Sequence, residues 1–270
     1  MCLILLAWQS HPEFPLIVAA NRDEFFARPT EEARFWAEAP AVLAGRDLLA
    51  GGSWMGVTRE GRFAAVTNFR EPESSEAPPE TLSRGRLVSE FLRGALKAND
   101  YLNELVPHAS ACKGFNLLCG SLEDGLWHYS NRARSPAPSE PVQRLAPGIY
   151  GLSNNLLDAP WPKVAQGKSD MAEALTALPR EELLFELLRD EKIHEDARLP
   201  RTGVSLEWER VLSAAFVRAP HYGTRSSTVL KIDRAGFVSL DEQTYLPNAS
   251  QPMASKRNRF RFKLATSGAS

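Results

Sequence analysis

The sequence predicts an α+β domain in which antiparallel sheets are covered by helices. Apolar runs recur in pairs around short turns, which is the pattern of β-hairpins. Segments with apolar residues spaced three and four apart, which indicate helices, stand between these pairs rather than between single strands. That order favours hairpins beneath helices over the alternating strand and helix order of a doubly wound parallel sheet.

Paired apolar runs predict four hairpins. The first joins 3–8 and 16–21 across a turn that contains two prolines. Glycine-bearing turns join the other pairs, which are 54–58 with 63–69, the runs on either side of 123–125, and 229–233 with 237–240. Near the C-terminus a period-two pattern predicts an outer strand with its basic side chains on one face: Arg257, Arg259, Arg261 and Lys263.

Apolar spacing predicts helices within 87–96, 171–178, 183–188 and 206–216. Two stretches rich in Pro, Ser or Glu, 71–80 and 134–141, are expected to be solvated loops, one of them a candidate lid. We expect a single domain over 1–264, followed by a flexible tail at 265–270.

The composition is that of an ordinary globular protein. Of the 270 residues 43% are hydrophobic and 24% are charged, and 32 Lys and Arg oppose 33 Asp and Glu for a net charge of -1. Such a balance supplies no general field that attracts nucleic acid. The apolar opening at 3–7 is too short for a membrane span and lacks the basic start of a signal peptide. We therefore expect no nucleic-acid partner and no integral membrane segment.

Cysteine and histidine usage predicts neither a disulfide framework nor a metal site. The three cysteines are odd in number and lack Cys-x-x-Cys spacing, so a reducing cytoplasm is expected. The five histidines show no paired spacing of the kind that metal ligands require.

Cys2 is the first candidate for chemistry, because removal of Met1 would leave its thiol and its α-amine on one residue. An α-amine has a reference pKa of roughly 7.7 to 8.0, so near neutrality it can accept the proton of the thiol. Taken alone, a cysteine at this position is more often an ordinary core residue.

Four polar residues, Asn21-Arg22-Asp23-Glu24, follow the second predicted strand. If the first two strands are antiparallel neighbours, the end of the second strand lies beside Cys2. Arg22 would then hold the thiolate or a substrate anion, and Asp23 would accept a hydrogen bond from the α-ammonium group. A solvated, salt-bridging turn explains the same quartet equally well.

Amide and hydroxyl side chains recur at three later strand ends, at 67–69, 151–155 and 223–228. Asparagine amides are suitable donors to the oxyanion of a tetrahedral acyl intermediate. Arg225 is suited to a substrate carboxylate or phosphate, which Ser226 would help to orient. Each of these residue types is also common in turns and caps.

The segments Met1-Cys2, 21–24, 52–56, 66–70, 151–155 and 222–229 occur in a fixed order along the chain. Together they resemble the NRDE family, which is also known as the transport-and-Golgi-organisation protein 2 family. The resemblance extends from residue 1 to about residue 240. It implies the four-layer αββα sandwich of the N-terminal-nucleophile (Ntn) hydrolases.

A more distant similarity to choloylglycine hydrolases and penicillin acylases with N-terminal cysteine implies roles for single residues. Cys2 would be the nucleophile, Arg22 and Asp23 would orient the reactants, and Asn68 and Asn154 would contact the oxyanion. In those hydrolases the acid lies three positions beyond the arginine, so Glu24, or a shifted register with Asn21, remains an alternative. The predicted substrate contacts are Asn21, Glu24, Asn155, Arg225 and Ser226.

Two functions follow as hypotheses. The first is an N-terminal cysteine hydrolase or acyltransferase that acts on a C–N amide or a thioester and requires no cofactor. The second is a non-catalytic carrier on the same fold, because members of the NRDE family are implicated in haem trafficking and in acyl-coenzyme A or lipid metabolism. In both cases the partner is a small molecule, and the carrier's cargo would be haem or an acyl-coenzyme A.

Overall fold

The computed structural model describes residues 2–72, 83–133, 141–245 and 254–265. Its strands are β1 (Cys2–Trp8), β2 (Leu16–Phe25), β3 (Thr30–Trp36), β4 (Ala39–Asp47), β5 (Met55–Thr58), β6 (Phe63–Asn68), β7 (Phe115–Ser121), β8 (Gly125–Ser130), β9 (Val142–Arg144), β10 (Gly148–Leu152), β11 (Tyr222–Ile232), β12 (Phe237–Tyr245) and β13 (Ala254–Lys263). Its α-helices are α1 (Arg84–Arg93), α2 (Ala98–Leu105), α3 (Pro162–Thr176), α4 (Glu182–Leu188) and α5 (Leu206–Val211). Short 3-10 helices occupy Val106–Ala111 and Asp196–Arg198.

The described strands form two antiparallel sheets that pack face to face. The first sheet has the strand order β10-β1-β2-β11-β12-β13, and the second has β3-β4-β5-β6-β7-β8-β9. Apolar side chains from both sheets fill the space between them. Helices α1 and α2 cover the outer face of the second sheet, while α3 and α4 cover that of the first. The expected four-layer αββα architecture is therefore confirmed.

All four predicted hairpins are confirmed, because the apolar runs pair as β1 with β2, β5 with β6, β7 with β8 and β11 with β12. Strand β10 ends within 151–155, where a strand end was predicted, whereas β3, β4 and β9 were not predicted. Strand β3 reads Thr-Glu-Glu-Ala-Arg-Phe-Trp and pairs with β4 through two register shifts, so its apolar residues follow no regular alternation. Helix α2 was also not predicted. Its buried residues are Ala98, Leu102 and Leu105.

The helix limits differ from the spacing pattern at several ends. Helix α1 ends at Arg93 and is capped by Gly94, three residues before the end of the predicted helix. The periodic segment 171–178 is only the second half of α3, which begins at Pro162. The segment 206–216 is helical only as far as Val211. Of the predicted loops and tail, 73–80, 134–140 and 266–270 lie outside the described residues.

Strand β13 is the edge strand that the basic alternation predicts. Its arginines face Asp241 of β12, which is fully buried, with Arg259 Nε 3.0 Å from Oδ1 and Arg261 Nη1 2.7 Å from Oδ2. Arg257 Nη2 lies 3.1 Å from Glu181 Oε1 at the start of α4. The basic side chains of β13 therefore pair with Asp241 and Glu181. They also present a charged face at the edge of the sheet.

Candidate active site

The strand register aligns four polar side chains across the first sheet. Cys2 lies opposite Arg22, Arg22 opposite Ser226, and Ser226 opposite Thr244. Directly opposed residues of antiparallel strands project to the same face. In the next row inward, Ile4 and Ala20 belong to the apolar core between the sheets. The polar row therefore lies where that core ends and the sandwich opens.

A cleft of about 560 Å³ opens above this row. Its opposite wall comes from the second sheet and the start of α1, and includes Ser53, Trp54, Asn68 and Arg84. The wall is tight: a side chain at Gly52, which has a φ of 79°, would place its Cβ 2.3 Å from the Gly85 carbonyl oxygen. Twelve of the 25 described residues that line the cleft are charged, so the cleft suits a polar ligand.

Cys2 lies at the floor of this cleft and is 8% exposed. Its carbonyl oxygen accepts a hydrogen bond of 3.0 Å from Ser153 Oγ, which fixes the backbone at the start of β1. Burial raises the pKa of the Cys2 thiol and the Asp23 carboxylate raises it further, whereas Arg22 and the backbone N–H of Asp23 lower it. Because burial is the largest of these effects, the thiol needs a base before it can act as a nucleophile.

Of the two acids left open by the sequence, Asp23 is the one beside Cys2. Asp23 is 1% exposed, and its Oδ1 accepts a hydrogen bond of 2.7 Å from Thr224 Oγ1. Burial raises the pKa of the Asp23 carboxyl, and Lys163 is the strongest influence that lowers it. Glu24 instead accepts a hydrogen bond of 2.9 Å from the Phe25 N–H at the half-exposed end of β2.

Asn21, an expected substrate contact, is fully buried and is absent from the described lining of the cleft. Asn21 pairs with Leu3 of β1. Its side chain therefore projects to the face of the sheet opposite to that of Cys2. Its Nδ2 donates to the carbonyl oxygens of Leu188 (2.7 Å) and Ala215 (2.8 Å), and its Oδ1 accepts from Ser227 Oγ. Asn21 therefore ties β2 to the segments that cover the outer face of the first sheet.

The three asparagines that follow strand ends take different positions. Asn68 lines the same cleft as Cys2. Asn154 is fully buried, and its Nδ2 donates a hydrogen bond of 2.9 Å to the carbonyl oxygen of Asn68. Asn155 Oδ1 accepts from the Leu156 N–H within a turn, and the residue is absent from the described lining. The structure thus places Asn68 in the cleft, ties its backbone to Asn154, and leaves Asn155 outside the described lining.

Arg225 and Ser226 both line the cleft, but only Ser226 belongs to the polar row. A bulge between Thr224 and Ser226 takes Arg225 out of the strand ladder. Arg225 Nη1 donates to the carbonyl oxygens of Phe25 (3.0 Å), Phe26 (3.3 Å) and Arg28 (3.1 Å). Arg225 therefore holds the loop after β2 in place. A ligand that bound Arg225 would share its guanidinium group with these carbonyl oxygens.

Comparison with known proteins agrees with this architecture. A family model described as Transport and Golgi organisation 2 matches residues 1–247. The chain belongs to that family. It is 34% identical over 267 residues to the mouse Transport and Golgi organization 2 homolog, covering 91% of this chain and 94% of the mouse protein. It is 35% identical over 285 residues to the cattle homolog, covering 98% and 99% of the two chains.

Among solved structures, the chain resembles the Caenorhabditis elegans ortholog of N-acylethanolamine-hydrolyzing acid amidase. The TM-score is 0.50 at 9% sequence identity, and the match covers 85% of this chain and 92% of the nematode chain. At this identity the likeness shows the fold alone. This member of the Transport and Golgi organisation 2 family thus has an Ntn-hydrolase-like fold, as the sequence resemblance implies.

Three charged residues in or beside the cleft were not predicted: Lys163, Glu242 and Arg84. Lys163 and Arg84 occur as single basic residues near helix starts, where a solvent-facing side chain is the ordinary expectation. The sequence does contain a signal for Glu242, because the polar run Asp241-Glu242-Gln243 interrupts an otherwise half-apolar strand. In the structure all three residues are buried. A buried polar run within a strand indicates a site or a network rather than a solvated face.

Glu242 makes the stability of this family member depend on pH. Burial raises the pKa of Glu242 to about 7 from an ordinary 4.5, although its Oε1 accepts a hydrogen bond of 2.7 Å from the Ala33 N–H. Between those values the folded state holds a proton that the unfolded state releases, so stability falls as pH rises. We expect the wild type to lose roughly 2–4 kcal/mol between pH 5 and pH 8 relative to Glu242→Gln, as measured by urea unfolding. Parallel losses in both proteins would contradict this assignment.

Two negative findings apply to the described ranges. No group of three or more His, Cys, Asp and Glu side chains there is arranged to hold a metal ion. No helix in those ranges has both the length and the apolar character that a membrane crossing requires.

Proposed function

We propose that the protein is an N-terminal cysteine hydrolase or acyltransferase that acts on a C–N amide or a thioester, with Cys2 as its nucleophile. The observation that carries the proposal is the position of Cys2 in the lining of the cleft, directly opposite Arg22 in the strand pairing, with Asp23 and Asn68 in the same lining. The fold shared with a protein named as an acid amidase agrees with this chemistry without establishing it.

Proton transfer would begin at the N-terminus. Removal of Met1 frees the α-amine of Cys2, whose reference pKa of roughly 7.7 to 8.0 suits a base near neutrality. The amine takes the thiol proton, and Asp23 accepts a hydrogen bond from the resulting ammonium. This assistance is needed because burial raises the pKa of the thiol. The three free cysteines suit a reducing cytoplasm, where we propose that the protein acts.

In the acylation step the Cys2 sulfur forms a bond to the substrate carbonyl carbon. The bond from that carbon to nitrogen or sulfur then breaks, and the leaving group takes the proton from the α-ammonium. Asn68 would donate to the oxyanion, and Asn154 would keep Asn68 in place through its carbonyl oxygen. Water or a second nucleophile would release the acyl group from Cys2. Arg22 and Ser226 would bind a polar part of the acyl group.

A second candidate is a carrier that binds an acyl-coenzyme A without turnover. It is favoured by the raised pKa of the Cys2 thiol and by the guanidinium groups of Arg22 and Arg84, both of which line the cleft and suit phosphate groups. Haem fits less well as a cargo. The charged lining is a poor match for a porphyrin face, and the described lining offers iron only Cys2 and Tyr245, whose hydroxyl donates to Ser227.

The experiment that tests the proposal starts with the intact mass of protein purified from its native host. An activated acyl thioester probe is then added, and modified peptides are mapped by mass spectrometry. We expect Met1 to be absent and a single adduct at Cys2, with none in Cys2→Ser. The buried Cys112 and Cys119 serve as internal controls. A retained Met1 or an inert Cys2 would reject catalysis, and saturable acyl-coenzyme A binding that weakens in Arg22→Ala would then favour the carrier.

A further inference from the structure

We propose that Thr224 is a positioning residue, whose hydroxyl group holds the Asp23 carboxylate in place and in its charged form beside Cys2. Thr224 Oγ1 lies 2.7 Å from Asp23 Oδ1, and the two residues are only 3% and 1% exposed. The inference rests on the proposed function, since it assigns the support of the acid in that same site.

A β-bulge brings the Thr224 side chain to the face of the sheet on which Asp23 lies. Thr224 pairs with Asp23 and Ser226 pairs with Arg22, with a register shift between the two pairs. In a regular strand, residues two positions apart project to the same face. Asp23 and Arg22 are adjacent in β2 and so project to opposite faces. The extra residue in β11 lets Thr224 face Asp23 while Ser226 stays on the side of the cleft.

The segment before β11 fixes the Thr224 hydroxyl group from another side. The Val217 N–H donates a hydrogen bond of 2.9 Å to Thr224 Oγ1, and the Thr224 N–H donates one of 2.9 Å to the Val217 carbonyl oxygen. Gly223 permits this close approach, because a Cβ there would lie 2.6 Å from the same carbonyl oxygen. The reciprocal bonds therefore leave the hydroxyl oxygen little freedom to move.

The two contacts of Thr224 Oγ1 decide where its proton points. A threonine hydroxyl has one proton to donate, whereas a backbone N–H such as that of Val217 can only donate. Within the described ranges the other polar contact of this hydroxyl is Asp23 Oδ1, so the hydroxyl proton is donated there. An ionised carboxylate accepts such a proton in a strong, charge-assisted hydrogen bond. A proton on Asp23 Oδ1 would instead compete for the same short contact.

This hydrogen bond opposes the effect of burial on Asp23. Burial raises the pKa of the Asp23 carboxyl, whereas Lys163, the amino terminus and the hydrogen bond from Thr224 lower it. Loss of the hydroxyl would therefore leave Asp23 protonated to a higher pH, and a neutral carboxyl is a weaker acceptor for the α-ammonium of Cys2. The charged and titratable groups that face Asp23 are the amino terminus, Cys2, Arg22, Arg70, Lys163 and Tyr222.

The test measures how fast the acyl thioester probe modifies Cys2 as a function of pH in the full-length protein. In Thr224→Val we expect about a tenfold slower reaction at pH 7, because a hydrogen bond to a charged group is lost. The difference from the wild type should shrink as the pH rises, since Asp23 then ionises without the hydroxyl group. Thr224→Ser keeps the hydroxyl group and should restore the wild-type profile.

Thr228→Val is the matched control on the same strand. Thr228 is 2% exposed, and its hydroxyl group has no hydrogen-bond partner in the part of the chain that the structure describes. The variant therefore removes a buried threonine hydroxyl from β11 without removing a contact of Asp23. A wild-type profile is expected.

The outcomes separate this inference from the function on which it rests. If wild-type Cys2 does not react at any pH, the proposed function fails and the inference fails with it. If wild-type Cys2 reacts and folded Thr224→Val gives the wild-type profile, only the role of Thr224 fails. A loss of equal size at every pH, or one that Thr224→Ser does not reverse, would mean a structural role and would also overturn the inference. Thr224→Ala provides the same readout if the valine variant does not fold, as judged by circular dichroism.

Discussion

Asn68→Ala is expected to lower kcat for amide or thioester cleavage about 10²–10³-fold while the protein stays folded. Asn68 ends β6 and is the one asparagine or glutamine among the described residues that line the cleft with Cys2. A donor to the oxyanion acts mainly in the transition state, so KM should change much less than kcat. Steady-state kinetics with an amide or thioester substrate found by screening would measure both constants.

The control for this prediction is Asn103→Ala. Asn103 is exposed on α2, where its Nδ2 donates to the Asn99 carbonyl oxygen, so kcat should not change. Asn154→Ala should lower kcat as well, because Asn154 holds the Asn68 carbonyl, but it should also reduce thermal stability through the loss of buried hydrogen bonds. A normal kcat in folded Asn68→Ala would remove this residue from the oxyanion site.

The neighbourhood of Cys2 and Arg22 could be predicted because it depends on one local hairpin. Two apolar runs and the proline-bearing turn between them indicate antiparallel pairing of β1 with β2, and pairing brings the ends of the two strands together. The face that each side chain occupies could not be predicted equally well. Asn21 and Arg22 are adjacent and so face opposite sides of the sheet, and only the register shows that Arg22 is the one on the side of Cys2.

The second half of the site depends on contacts between distant parts of the chain. Lys163 and Glu242 are far in sequence from Cys2, and each looks locally like a residue of an ordinary helix or strand. Burial distinguishes Lys163 and Glu242 from ordinary surface residues. That burial follows from how α3 and β12 pack in the folded αββα domain. The asparagine motifs mark the right strand ends, but only the fold shows that Asn154 acts on Asn68 and that Asn155 lies in a turn.

Glu209→Gln is expected to lower the free energy of unfolding by about 3–5 kcal/mol. The ion pair that it breaks is buried, with the Arg70 and Glu209 side chains 6% and 4% exposed. Glutamine keeps the size of the side chain but removes the negative charge of Glu209 from the Arg70 guanidinium. That guanidinium packs over Trp161. Urea unfolding would measure the loss. The matched control is Glu90→Gln, which breaks an exposed pair with Arg86 on α1 and should cost about 0.5 kcal/mol or less.

The cost at Glu209 should exceed that of one ordinary pair because Lys163 is part of the same cluster. Arg70 and Lys163 repel each other, and Glu209 attracts both. Because Glu209 raises the pKa of Lys163, loss of Glu209 should lower that pKa further. Arg70→Met combined with Glu209→Gln should therefore be more stable than Glu209→Gln alone, because the double variant removes one of the repelling charges. If the stability losses of the two single variants simply add in the double variant, Arg70 and Glu209 do not interact.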